Sequence, residues 1–121
     1  MATLLVNTGK AIVTSRLNSG GTIPQYVAWG TGAGTTGATD TTLFTEVTPR
    51  VSGTTSQVTT STTNDTFQVV GTQTAGTSET ITNAGLFDAS TSGNLFVKGD
   101  FTCIALNSGD SIQFTFKIQF S

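Results

Sequence analysis

Histidine is absent from this chain, and cysteine occurs once, as Cys103. Without an imidazole, the commonest general base, the usual serine triads and the commonest zinc ligand are all missing. A single thiol forms no intramolecular disulfide and supports no structural zinc site. Its neighbours Phe101 and Ile104 predict a buried or half-buried thiol that behaves as a small hydrophobe. Charge is scarce as well: five Lys or Arg and seven Asp or Glu leave a net charge of −2. Phosphate recognition needs clustered cations. Lys10, Arg16, Arg50, Lys98 and Lys117 are scattered, so no nucleic-acid partner is expected. No apolar run approaches the roughly 20 residues of a membrane helix. Leu4-Leu5-Val6 is too short for a secretory leader and has no basic flank before it. The expectation is synthesis in a cytoplasm, with no membrane partner.

The residues that remain offer little chemistry. Seven carboxylates stand at Asp40, Glu46, Asp65, Glu79, Asp88, Asp100 and Asp110, most of them beside Gly, Asn, Ser or Thr, as turn residues do. A glycosidase needs two opposed carboxylates in a cleft, and no pair is singled out here. Asp65, Asp88 and Asp110 lack the alternating spacing of a calcium loop. Gly32-Ala33-Gly34-Thr35-Thr36-Gly37 formally fits a dinucleotide fingerprint, but Gln57 stands where the acidic ribose ligand belongs, and Thr-rich sequence follows where a helix should. It reads as a flexible glycine loop. Asn64-Asp65-Thr66 fits a glycosylation acceptor and, without secretion, reads as a turn. The expectation is a protein that is not an enzyme and takes no cofactor or metal.

What is present is β-structure. Ile112, Phe114, Phe116, Ile118 and Phe120 alternate without a miss against Ser111, Gln113, Thr115, Lys117 and Gln119. A period of two places one set on each face of a strand. The apolar set is expected to supply a large share of an aromatic core. Abundant Thr, Val, Ile and Phe suit a pleated surface better than a helix. Low charge and eight Phe argue against disorder.

Along the chain, residues 7–18 are the one helix candidate, with Asn7 or Thr8 as cap and Asn18-Ser19-Gly20-Gly21 as stop. Gly9 and Thr14 leave a strand open there. Pro24 to Trp29 reads as a strand. Gly30 to Thr42 is too long for a tight turn, and loops of this length are commonly functional or mobile. Leu43 and Phe44 are placed to anchor its end in the core. Residues 47–60 and 66–75 read as a long hairpin around Thr63-Asn64-Asp65. Ile81–Phe87 and Leu95–Ile104 are further strands, the latter with Leu95, Val97 and Phe101 on one side. Asn107-Ser108-Gly109-Asp110 turns the chain into the last strand. Short strands with turns between them predict a mostly β, antiparallel β-sandwich or jelly-roll-like barrel with at most one short N-terminal helix. One domain spans residues 1–121, with residues 1–20 as an arm or short helix.

Tyr26-Val27-Ala28-Trp29-Gly30-Thr31-Gly32, then Thr39 to Glu46 and on to Arg50, resemble small structural proteins of tailed bacteriophages. The likeness continues through Phe67 to Thr72, Ile81 to Asp88 and the final strand, and covers the chain from about residue 20. In particular the chain resembles head decoration, or cement, proteins. Similar motifs also occur in proteins resembling tail-fibre and baseplate modules. The resemblance implies a virion structural protein bound to the outer capsid surface, with the major capsid protein and further copies of itself, as a homotrimer, for partners. The alternatives are a tail-fibre or baseplate component and, from another class, a carbohydrate-binding module using Tyr26 and Trp29. Residues expected at a capsid or subunit interface are Tyr26, Trp29, Gly32, Gly34, Phe44, Arg50, Gln113 and Gln119. Trp29 shares parity with Val27, which favours the core over the surface. Arg50 either pairs with Glu46 or meets an acidic patch on a partner.

Overall fold

A computed structural model describes residues 3–120. The order is β1 (Thr3–Leu5), α1 (Asn7–Ser19), β2 (Tyr26–Gly30), β3 (Glu46–Ser52), β4 (Thr54–Val58), β5 (Thr66–Thr74), β6 (Glu79–Phe87), β7 (Leu95–Leu106) and β8 (Ser111–Gln119). One sheet runs β1-β7-β6-β2-β3 and the other β4-β5-β8. Every strand pairing is antiparallel. The molecule is a β-sandwich with one helix, as its strand periodicity predicts.

The helix candidate is a helix, but neither Asn7 nor Thr8 caps it: Val6 stands at the N-cap with no side-chain cap, and the Thr8 hydroxyl donates to the Leu95 carbonyl. Gly20, with φ 75°, ends it, and its N–H reaches back to the Arg16 carbonyl. Ile12 points into the core, packed with Phe96, Val27, Leu86, Val97, Val69 and Ile118. Helix propensity is modest here, and burial of one side against the sandwich end supplies the stability.

The expected hairpin of residues 47–60 with 66–75 divides. Only β4 pairs with β5, from Thr54↔Val70 to Val58↔Thr66. β3 instead pairs with β2 in the other sheet. The chain changes sheets at Gly53, whose N–H donates to the Gln25 carbonyl at 2.8 Å. A Cβ there would meet Val69 Cγ1 at 2.5 Å, so the crossing needs glycine. The wide spacing of Val47, Val51 and Val58 reflects this division: no single face runs through them.

Between the sheets, Trp29, Ile81, Ala84, Ala75 and Leu106 pack with Phe101, Ile112, Phe114 and Phe116. Trp29 meets Phe114 edge-to-face at 6.3 Å. A register shift between Val27 and Trp29 interrupts the β2–β3 ladder. The buried Gln73 amide donates to the Val27 carbonyl at 2.8 Å and so gives that acceptor a partner. Leu95 departs from expectation. A shift at Leu86/Phe87 turns it away from Val97 and Phe101, into a second apolar layer with Val6, Ala28, Leu43 and Phe87. Of the terminal strand, Ile118 is buried, while Ile112, Phe114 and Phe116 are only partly so. Phe120 lies outside the core at 48% exposure, one residue past the end of the ladder.

Candidate functional site

Residues 31–45 form an ordered strap across the outer face of the five-stranded sheet. β2 hands the chain on through Thr31 N–H to the Thr45 carbonyl (3.1 Å) and Gly32 N–H to the Phe44 carbonyl (2.9 Å). Asn83 projects from β6 and grips the returning end: Phe44 N–H donates to its Oδ1 at 3.0 Å, and its Nδ2 donates to the Phe44 carbonyl at 3.1 Å. Lys98, the fourth residue of β7, is fully buried. Its Nζ donates to Asp40 Oδ2 at 2.8 Å and to the Thr42 carbonyl at 2.9 Å. The same ammonium lies 3.3 Å from the centroid of the Phe44 ring, a cation–π contact. Asp100 accepts from Thr36 N–H, and Asp40 from Gly37 N–H, at 3.1 and 3.0 Å. The Lys98 hydrogen bond, followed by that from Gly37, holds the Asp40 carboxyl below its ordinary value of 3.8. The glycine-rich segment is therefore tied down along its length by buried polar groups, where its composition suggests mobility.

The residues expected at an interface fall into three groups. Trp29 and Arg50 do not face outward. Trp29 is 2% exposed within the sandwich. Arg50 forms a two-pronged pair with Glu46 at 2.7 and 3.0 Å and donates to the Ala89 and Ser92 carbonyls. Its guanidinium also lies 3.5 Å from the Phe87 ring centroid, so it binds β3 to the β6–β7 connection. Tyr26, Gly32, Phe44 and Gly34 belong to the strap and its base. Tyr26 is half-buried against the second apolar layer. The Phe44 ring covers Gly34, where a Cβ would come within 2.7 Å of its Cζ. Gln113 and Gln119 are exposed on β8, as alternation predicts. Tyr26 and Trp29 thus present no paired exposed rings for sugar stacking.

Cys103 is exposed rather than buried. Beyond Gly99, β7 has no partner on its β1 side among the described residues and runs as a free margin, and Thr102, Cys103, Ile104 and Ala105 meet solvent. The buried Lys98–Asp40 pair and the Asn83 clamp escape sequence reading. Their signals are a lysine inside an apolar strand, between Val97 and Gly99, and an asparagine between Ile81 and Leu86.

Among the described residues, no group of three or more His, Cys, Asp or Glu side chains is placed to hold a metal ion. No helix is long and apolar enough to cross a membrane. Buried polar side chains of this fold hold loops to sheets. The family model of the podophage GP4 fiber I protein gp80 matches residues 16–118, and the chain belongs to that family. It is a structural protein of the bacteriophage virion. Neither curated proteins nor solved structures gave a match to it.

Proposed function

We propose that this chain is a structural component of the phage tail fibre and does no chemistry. The family match over residues 16–118, to a protein named for a fibre, carries this reading. It favours the tail-fibre alternative over head decoration, to which the same strands and loops also bear a likeness. The partners are then other tail proteins and further copies of this chain, in place of the major capsid protein. The fold suits the role in physical terms. A fibre module outside the cell must keep its loops ordered without disulfides or metals. Here the buried Lys98–Asp40 pair, the Asn83 clamp and the Arg50–Glu46 pair supply that order.

A phage with the gene disrupted tests the proposal. Its filled heads should resist mild heating and low ionic strength as well as those of the parent, while adsorption to host cells falls. Heads that leak DNA, with adsorption intact, would identify a head-stabilising protein and sink the fibre reading.

A further inference from the structure

We infer that β8 is an association edge, at which two copies of this chain pair antiparallel about a two-fold axis through Thr115. Among the described residues, β8 has β5 on one side and no strand on the other. Its ladder with β5 is regular across all nine residues, from Thr66↔Gln119 to Thr74↔Ser111. Beyond the two ends of that register, Phe120 N–H donates to the Asp65 carbonyl and Ala75 N–H to the Asp110 carbonyl. The even-numbered residues of β8 therefore turn their backbone groups to β5. Those of Ser111, Gln113, Thr115, Lys117 and Gln119 point outward, away from the sheet.

A free edge of this length is normally blunted by proline, a bulge, inward charge or brevity. The other free edges among the described residues are: β3 carries Pro49, β1 has three described residues, β4 has five, and the β7 margin beyond Gly99 is broken by a register shift between Asp100 and Ile104. β8 has nine, with no proline, glycine or bulge and a single charge, the outward-facing Lys117. The same side of the sandwich is also unsealed. A cleft of about 170 Å³ opens there between Thr3, Gly99 and Phe101 of one sheet and Phe114 and Phe116 of the other.

The sequence of β8 is complementary to itself in one register. With Thr115 opposite its own copy, Gln113 faces the second copy's Lys117, and Ser111 faces its Gln119. On the inner face, Phe114 lies opposite Phe116 and Ile112 opposite Ile118. All outward backbone groups then find partners, the aromatic pairs line up across the axis, and the two lysines stand apart. A closed two-fold contact of this kind uses one patch twice. It joins two three-stranded sheets into a single sheet and covers the cleft.

The test is sedimentation equilibrium of the purified full chain and three variants. Gln113 and Lys117 are both exposed, so substitution there leaves the fold intact. Gln113→Lys sets like charges opposite each other twice and should weaken dimerisation roughly tenfold or more. Adding Lys117→Glu to it converts both contacts to opposite charges and should restore the dimer. Thr115→Pro removes an outward N–H that β5 does not use, and should give a folded monomer by circular dichroism. A wild-type monomer or trimer overturns the inference. So does a Gln113→Lys protein that dimerises as tightly as wild type, or one that Lys117→Glu fails to rescue.

Discussion

Replacing Asp40 with asparagine leaves the Lys98 ammonium in place with its counter-charge removed. The lysine side chain is 1% exposed and the aspartate side chain 23%. Removing one partner of a fully buried pair costs about 3–5 kcal/mol. Asp40 is partly open to water, and the Thr42 carbonyl and Phe44 ring still face the ammonium, so the cost falls below that range, at about 2 kcal/mol. At about 2.1 cal/mol/K of unfolding entropy per residue, each kcal/mol lowers the midpoint of a chain this size by roughly 4 °C. Asp40→Asn should therefore melt about 8 °C below wild type at pH 7 by circular dichroism. Lys98→Met removes the charge itself and keeps an unbranched stem on Phe44. It should cost less than Asp40→Asn, because Asp40 retains its Gly37 N–H and solvent. Hydrogen exchange should place the effect in residues 31–45, with the Gly32 amide losing protection first. An Asp40→Asn protein that melts within about 2 °C of wild type, or a Lys98→Met protein that is clearly the less stable of the two, would refute the buried-pair account of the strap.

Trp29→Ala should destabilise by about 3–5 kcal/mol in urea titration, as removal of a large core ring does. Trp29→Phe should leave self-association unchanged. Asp65 accepts hydrogen bonds from the Thr62, Thr60 and Ser61 backbones and the Thr66 hydroxyl, and these hold its carboxyl well below 3.8. Its ionised form is thus favoured by folding. That stability is fully present above about pH 4 and is lost as pH falls through the lowered folded value. The difference in melting midpoint between wild type and Asp65→Ala should accordingly be largest near neutrality and shrink below pH 4; a difference independent of pH would contradict this. Cys103 should react with iodoacetamide in the native protein, giving a single adduct by mass spectrometry. A need for denaturant would place the thiol inside.

The strands were legible because their side chains alternate and their turns are marked by Gly, Asn and Asp. β8 is the clearest case: Ile112 to Ile118 face inward and Gln113 to Gln119 outward. Three features escaped because they depend on contacts distant in sequence. Gly53 carries the chain from one sheet to the other, and only the packing of Val69 against it shows why. Cys103 is exposed because, among the described residues, the β1–β7 ladder reaches only to Thr3↔Gly99 and none pairs with the outer edge of β7 beyond it. The strap of residues 31–45 reads as mobile because its own composition is Gly and Thr. What holds it, Lys98, Asn83 and Asp100, lies some 40 to 65 positions later. Of the residues expected at an interface, Gln113 and Gln119 are exposed, as strand parity alone determines. Trp29 lies in the core, as its parity with Val27 favours, and Arg50 takes the Glu46 pairing, so both have partners inside the fold.

Immunogold labelling of intact virions with antibody raised against the purified chain tests most directly the proposal that this virion protein serves in the tail fibre. Gold clustered at the tail, with bare capsid faces, is the predicted result. Gold distributed over the head and absent from the tail would contradict it.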